Sequence, residues 1–281
     1  MTRRFLTRAV LVLAVLPIAV WATATSPAAA EITRQPLILA GCGSNVPITR
    51  LLVEAFTVTR PEIRMDVQPI GSTNAIWTAA RGATSLGLIS RPLTDEEQAL
   101  GLTLVPYART AVVIGVHPTV VEADITADDL IAIYRGTKRR WRDGGEIVLL
   151  TRERGDSSVQ ELRREVRGFG GAYLEGQAAA MRRTIYSEQE MHRLLAATPL
   201  AIGLSDLGTL AVERLAIKPL KVEGIAPTLD HLASGLYPLT KTLAFAFRED
   251  SARPEVHAFL DFVRSAEGAK ILRENGYLPV Q

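Results

Sequence analysis

At Pro36-Leu-Ile-Leu-Ala40 a continuous apolar run ends in the small polar loop Gly41-Cys-Gly-Ser-Asn45. Behind that loop Leu51, Leu52, Ala55 and Phe56 recur along one side of a helix. The device then repeats. Ile63-Arg-Met-Asp-Val-Gln68 alternates like a strand, and Gly71-Ser-Thr-Asn74 opens a second helix through Ala75, Ile76, Ala79 and Ala80. Leu86-Gly-Leu-Ile89 makes a third short strand, closed at Ser90-Arg91-Pro92, where the proline stops the element. Strands that alternate with helices in this way predict an α/β fold of mostly parallel sheet with helices on both faces. Ligands of such sheets bind beyond the carboxyl ends of the strands, where these loops gather.

A fourth instance carries the most chemistry. The apolar run Ile147 to Leu150 leads into Thr151-Arg-Glu-Arg-Gly-Asp-Ser-Ser158, and Val159, Leu162 and Val166 continue at helical spacing. Ser158 stands three residues before Glu161 and Ser157 three before Gln160, so either serine can begin a capping box. The helix start offers free N–H groups and the positive end of the helix dipole, with Arg152 and Arg154 beside it, an arrangement suited to an anion. The plainer reading is a capped surface helix, since Ser, Asp and Gly serve any turn of this kind. A Walker-type phosphate loop is excluded, because no Gly-Lys-Ser/Thr follows.

Further along, Leu104 to Val116 reads as two strand-like runs broken around Pro106, and Ala127 to Tyr134 as a helix. After the Arg152 loop come a Gly-rich, Tyr-bearing connection from Gly168 to Gly176, a helix near Glu188 to Ala196, a strand at Leu200 to Leu204 and another at Ile217 to Val222. A short helix bearing Leu229, Leu232 and Leu236 precedes the strand Thr240 to Phe247, and two helices close the chain.

The N-terminus has the three parts of a secretory signal: Arg3 and Arg4, an apolar run from Ala9 to Trp21, and the small residues Ala28 to Ala30. Cleavage is expected after Ala30, placing the mature protein in the periplasm. Removing residues 1–30 takes three of the 32 basic residues and none of the 30 acidic ones, leaving 29 against 30. A near-neutral protein lacks the basic surplus that a nucleic-acid binder needs. Cys42 is the single cysteine, so no disulfide forms within one chain. The window Leu39 to Cys42 looks like a lipoprotein box, but it lies too far past the apolar run, and Cys42 reads as a small buried residue at a strand end. The four histidines have no ligand-like spacing, so no metal and no other cofactor is expected.

Taken together, these segments resemble periplasmic phosphate-binding proteins of the PstS type, within the type II solute-binding superfamily. The resemblance runs over nearly all of the mature chain. It is carried by Gly41 to Ser44, Gly71-Ser72, Ser90 to Leu93, Ile133 to Gly136 with Trp141 to Gly144, Arg152 to Gly155, Ala201 to Gly203, Tyr237-Pro238 and Gly276 to Pro279. It implies two lobes, each a mostly parallel sheet flanked by helices, with residues 31–114 and 225–281 in one and 115–224 in the other. It further implies that the lobes close on a dehydrated oxyanion held by Ser44, Asn45, Ser72, Ser90, Arg152, Gly155, Asp156, Ser157 and Ser158. Two positions depart from the family, which usually has an aspartate where Ser90 stands and a serine where Asp156 stands. One expectation is therefore that the acidic acceptor has crossed to Asp156; the other is that Asp156 only caps its helix.

The function so implied is capture of an inorganic oxyanion, phosphate first, by a monomer that delivers it to an inner-membrane ABC permease. The alternatives are a sensor that acts on a regulator and a receptor for sulfate, molybdate or tungstate. Catalysis is not expected, since Gly203-Leu-Ser-Asp206 lacks the second glycine of a nucleophile elbow and no serine has a suggested His–Asp partner.

Overall fold

In a computed structural model the described residues are 35–178 and 184–280, so the expected signal segment and its cleavage site lie outside them. In chain order the first elements are β1 (Leu37–Gly41), α1 (Val46–Thr59), β2 (Met65–Pro69), α2 (Ser72–Ala80), β3 (Leu86–Ile89), α3 (Asp95–Gln98) and β4 (Thr103–Val116). Next come β5 (Asp124–Ile125), α4 (Ala127–Arg135), β6 (Val148–Leu149), β7 (Thr151–Arg152), α5 (Ser157–Glu165), α6 (Phe169–Ala178), β8 (Thr184–Ile185) and α7 (Glu188–Ala197). The chain continues with β9 (Ala201–Asp206), α8 (Leu207–Glu213), β10 (Lys218–Pro219), β11 (Lys221–Val222), α9 (Leu229–Ala233), β12 (Thr240–Phe247), α10 (Pro254–Arg264), α11 (Ala266–Glu274) and β13 (Leu278–Pro279).

The main sheet runs β2-β1-β3-β12-β4-β9-β6. Its β2-β1-β3 part is parallel, as the strand–loop–helix repeats require, and so is β6 beside β9. Strands β12 and β4 enter antiparallel to their neighbours. One hydrophobic core gathers Leu37, Leu39, Leu52, Phe56, Leu88, Tyr107, Phe245 and Phe259. A second gathers Val112, Ile114, Tyr134, Val159, Leu162, Phe169, Tyr173, Ile202, Tyr237 and Leu239. The backbone passes from the first to the second between Ala108 and Ala111, and back between Leu239 and Leu243. These two crossings pair with each other, Leu243 opposite Ala108 and Thr240 opposite Ala111.

Three sequence expectations are corrected. Pro106 does not break Leu104 to Val116 into two runs, because β4 passes through it. The ladder shifts between Leu243 and Ala244, so that Ala244 faces Pro106 while Leu243 faces Ala108, and a bulge of this kind tolerates the missing proline N–H. The segment from Gly168 to Gly176 is largely the helix α6. Phe169, Ala172 and Tyr173 fall on one face of it and pack on Tyr134, with ring centroids 4.7 Å from Phe169 and 6.3 Å from Tyr173. That burial outweighs a helix-propensity cost of roughly 1 kcal/mol per glycine. Third, the strand expected over Ile217 to Val222 is two short pieces: β10 pairs with β4, and β11 with β5.

Candidate functional site

A cavity of about 550 Å3 opens where four helix starts meet. Its wall is formed by Cys42 and Gly43 ahead of α1, Gly71 to Asn74 at α2, Gly155 to Ser157 at α5, and Ser187 to Gln189 at α7, with Arg152 between them. Every helix start leaves N–H groups without intrahelical partners and concentrates positive potential there. Asp156 caps α5 and Ser187 caps α7. Neither α1 nor α2 has a side-chain cap, and Gly71 reaches the α2 start at φ 79, a left-handed value that suits glycine. The uncapped first turn of α2 therefore faces the cavity with N–H groups ready to donate to an anion.

Arg152 is 7 % exposed and held on three sides. Its Nε and Nη2 both donate to Asp156 Oδ2 at 3.0 Å, and Nη1 donates to the Ile185 carbonyl at 3.0 Å. The Tyr173 hydroxyl donates to the Arg152 carbonyl at 2.7 Å, fixing the backbone. Asp156 Oδ1 accepts from the Ser158 and Val159 amides at 2.9 and 3.1 Å. The capping residue is thus Asp156, one step before the serines expected to cap, because its carboxylate can serve the helix amides and the guanidinium at once. With both oxygens engaged, Asp156 has the geometry of the capping alternative.

The expected ligand residues divide by place. Ser72, Arg152, Gly155, Asp156 and Ser157 line the cavity. Ser90 donates to Cys42 Sγ at 2.8 Å and lines a second cavity of about 620 Å3, which shares Ser157 with the first. Asn45 turns inward, its amide donating to the Ile89 carbonyl and the Tyr107 hydroxyl at 3.2 Å each. Ser44 and Ser158 lie behind the wall, where both hydroxyls accept from Lys241 Nζ, at 2.5 and 3.0 Å. Cys42 is buried just past β1, as expected, and its Sγ lies 3.7 Å from Ser157 Oγ.

Two residues at this site are missing from the sequence reading. Lys241 is 4 % exposed and stands 3.6 Å from Asp206, a residue buried at the start of α8. Burial disfavours its charge, but Asp206 and Glu188 outweigh that and hold the ammonium above the ordinary lysine range. Glu188, the first residue of α7, lines the cavity, and its Oε1 accepts from Ser44 at 2.8 Å. Burial pushes its carboxyl above the usual range, against the pull of Lys241. Faint signals for both exist in the sequence. Lys241 shares the alternating face of Leu243 and Phe245, an unusual place for a lysine, and Ser187 precedes Glu190 by the spacing of a helix start.

Residues 22–267 match the model of a PBP superfamily domain. The chain belongs to the PBP superfamily. Within that superfamily it is 26 % identical over 252 residues to the phosphate-binding protein PstS of Bacillus subtilis, covering 87 % of this chain and 80 % of that one. It is 23 % identical over 252 residues to PstS of Borreliella burgdorferi. Its fold superposes with a TM-score of 0.80 on a candidate phosphate ABC transporter substrate-binding protein of Clostridium perfringens solved with bound phosphate. That comparison, at 22 % identity, covers 88 % of this chain and all of the other. The cavity lies beyond the carboxyl ends of β1, β2 and β7, the edge where loops of alternating strands and helices gather.

Proposed function

We propose that this protein is the periplasmic receptor of an ABC importer for an inorganic oxyanion, with phosphate as the first candidate. The observation that carries the reading is the 550 Å3 cavity, where the uncapped start of α2 and the buried Arg152 meet. Backbone amides and one guanidinium can hold a dehydrated oxyanion without a metal. Relatives named for phosphate binding support the choice of phosphate. The two cores would be the two lobes, with the pair of crossings as their joint, and delivery would be to an inner-membrane permease by a monomer released after Ala30.

The test is thermal unfolding of the mature protein with phosphate, arsenate, sulfate, molybdate and tungstate in turn. A ligand at a hundred times its Kd stabilises by about 2.7 kcal/mol. Phosphate should raise the melting temperature most. If no oxyanion shifts it at millimolar concentration, the receptor reading fails.

A further inference from the structure

Four arginine, aspartate or glutamate side chains line the cavity: Arg152, Glu153, Asp156 and Glu188. Arg152 and Asp156 neutralise each other, and Glu153 is exposed to solvent. Behind the wall Lys241 is matched by Asp206. Glu188 is the charge left over. It is 8 % exposed, its Oε1 accepts from Ser44, and among the described residues no hydrogen bond reaches Oε2. The groups that face it are Lys241 of β12, Asp206 at the end of β9, His192 one turn along α7, Asp156 ahead of α5 and Arg152 of β7. Lys241 and Arg152 each have an acidic partner already, and His192 lies 3.6 Å from Glu213 and 2.9 Å from the Ser205 hydroxyl.

A dianion that enters would share the cavity with the ionised and largely buried carboxylate of Glu188. Like charges at short range repel strongly where water cannot screen them. A carboxyl that takes up a proton stops repelling and gains an O–H to donate. We propose that the anion is bound together with one proton from solvent, which Glu188 holds and presents to the anion. This rests on the reading of the cavity as an anion site and adds a residue that sets the charge of what the cavity accepts. Burial works against the ionised form of Glu188 while Lys241 and the α7 start favour it, and the balance leaves the carboxyl easier to protonate than an ordinary glutamate. Affinity should therefore fall as pH rises, beyond any change due to the ligand's own ionisation.

The experiment is calorimetric titration of phosphate into wild type and Glu188→Gln in buffers of different ionisation enthalpy, which counts protons. Wild type should take up more protons per phosphate than the variant, by up to one. Glutamine imitates the neutral acid, so between about pH 6 and about pH 8.5 the affinity of the variant relative to wild type should rise by at least about tenfold. Equal proton counts, or a relative affinity that stays flat with pH, would overturn the proposal. If Glu188→Gln does not fold, wild type decides alone: uptake beyond that set by phosphate's own ionisation supports the idea, and none overturns it. A wild type that binds no oxyanion overturns the receptor reading as well, whereas phosphate binding without the extra proton overturns only this inference.

Discussion

Replacing Lys241 by methionine would keep most of the volume of its side chain and remove one buried charge. The ammonium donates to Ser44 at 2.5 Å and to Ser158 at 3.0 Å and faces Asp206 at 3.6 Å, with both charged side chains at 2 % exposure or less. Removing one partner of a buried pair costs about 3 to 5 kcal/mol. Asp206 keeps the Thr209 amide at 2.8 Å and the Thr209 hydroxyl at 3.0 Å, and Ser44 can still donate to Glu188. Those surviving donors place the cost near the lower bound, about 3 kcal/mol. In a domain of this size that lowers the melting temperature by about 6 to 12 °C. The folded-state affinity of Lys241 for its proton is raised, so its contribution is fully present below the ordinary lysine range and lost only as pH rises past it. Lys241 itself stays charged across this range, so the loss should be present at both about pH 6 and about pH 8. Adding Asp206→Asn should return part of it, because the carboxylate that lost Lys241 as its partner would then be neutral. Melts followed by circular dichroism would refute this reasoning if Lys241→Met shifted the midpoint by less than about 2 °C, or if the two substitutions were simply additive.

Arg152→Ala should weaken phosphate binding by at least about a hundredfold, roughly 2.7 kcal/mol, since no other guanidinium among the described residues lines the cavity. Calorimetry that found a loss under about tenfold would place the anion elsewhere. Asp156→Asn should lower the melting temperature by removing the Arg152 partner, while leaving the preference between phosphate and sulfate unchanged. A change in that preference would revive Asp156 as the acceptor facing the ligand. Gly208→Ala should cost at least about 2 kcal/mol, because its Cβ would lie 2.0 Å from the Tyr277 ring, whose hydroxyl donates to the Ser44 carbonyl. An unchanged urea midpoint would show that the ring can move aside.

Local features were the legible ones. The strand, loop and helix from Leu37 to Phe56, and again around Arg152, could be read because hydrophobic period and loop chemistry agree over a few residues. The gathering of Ser72, Arg152, Asp156 and Ser157 followed from the rule that such loops meet at one sheet edge. Glu188 and Lys241 escaped because what defines them is distant. Ser44 lies 144 residues from Glu188 and 197 from Lys241, and neither residue type announces a buried partner. The same holds for Asn45: nothing in its neighbourhood along the chain shows that Tyr107 will hold its amide inside. The helix α6 escapes for a different reason, since its glycines advertise a loop while the edge-on ring contact that overrides them needs Tyr134 from another helix.

The paired crossings bear on how stress passes through the molecule. From Ala108 to Ala111 and from Thr240 to Leu243 the two crossings form an antiparallel ribbon, about 13 Å long at 3.3 Å per residue, with β13 added against Ala108 and Arg109 at one end. Cross-strand hydrogen bonds stop such a ribbon from shearing, whereas its twist varies readily and more so beside a bulge. The bulge next to Leu243 sits at the end of this ribbon, and Lys241 sits in its middle, opposite Thr110. The ammonium of Lys241, bonded to the hydroxyls of Ser44 and Ser158, therefore ties a residue ahead of α1 and one at the start of α5 to the strand pair that both cores share.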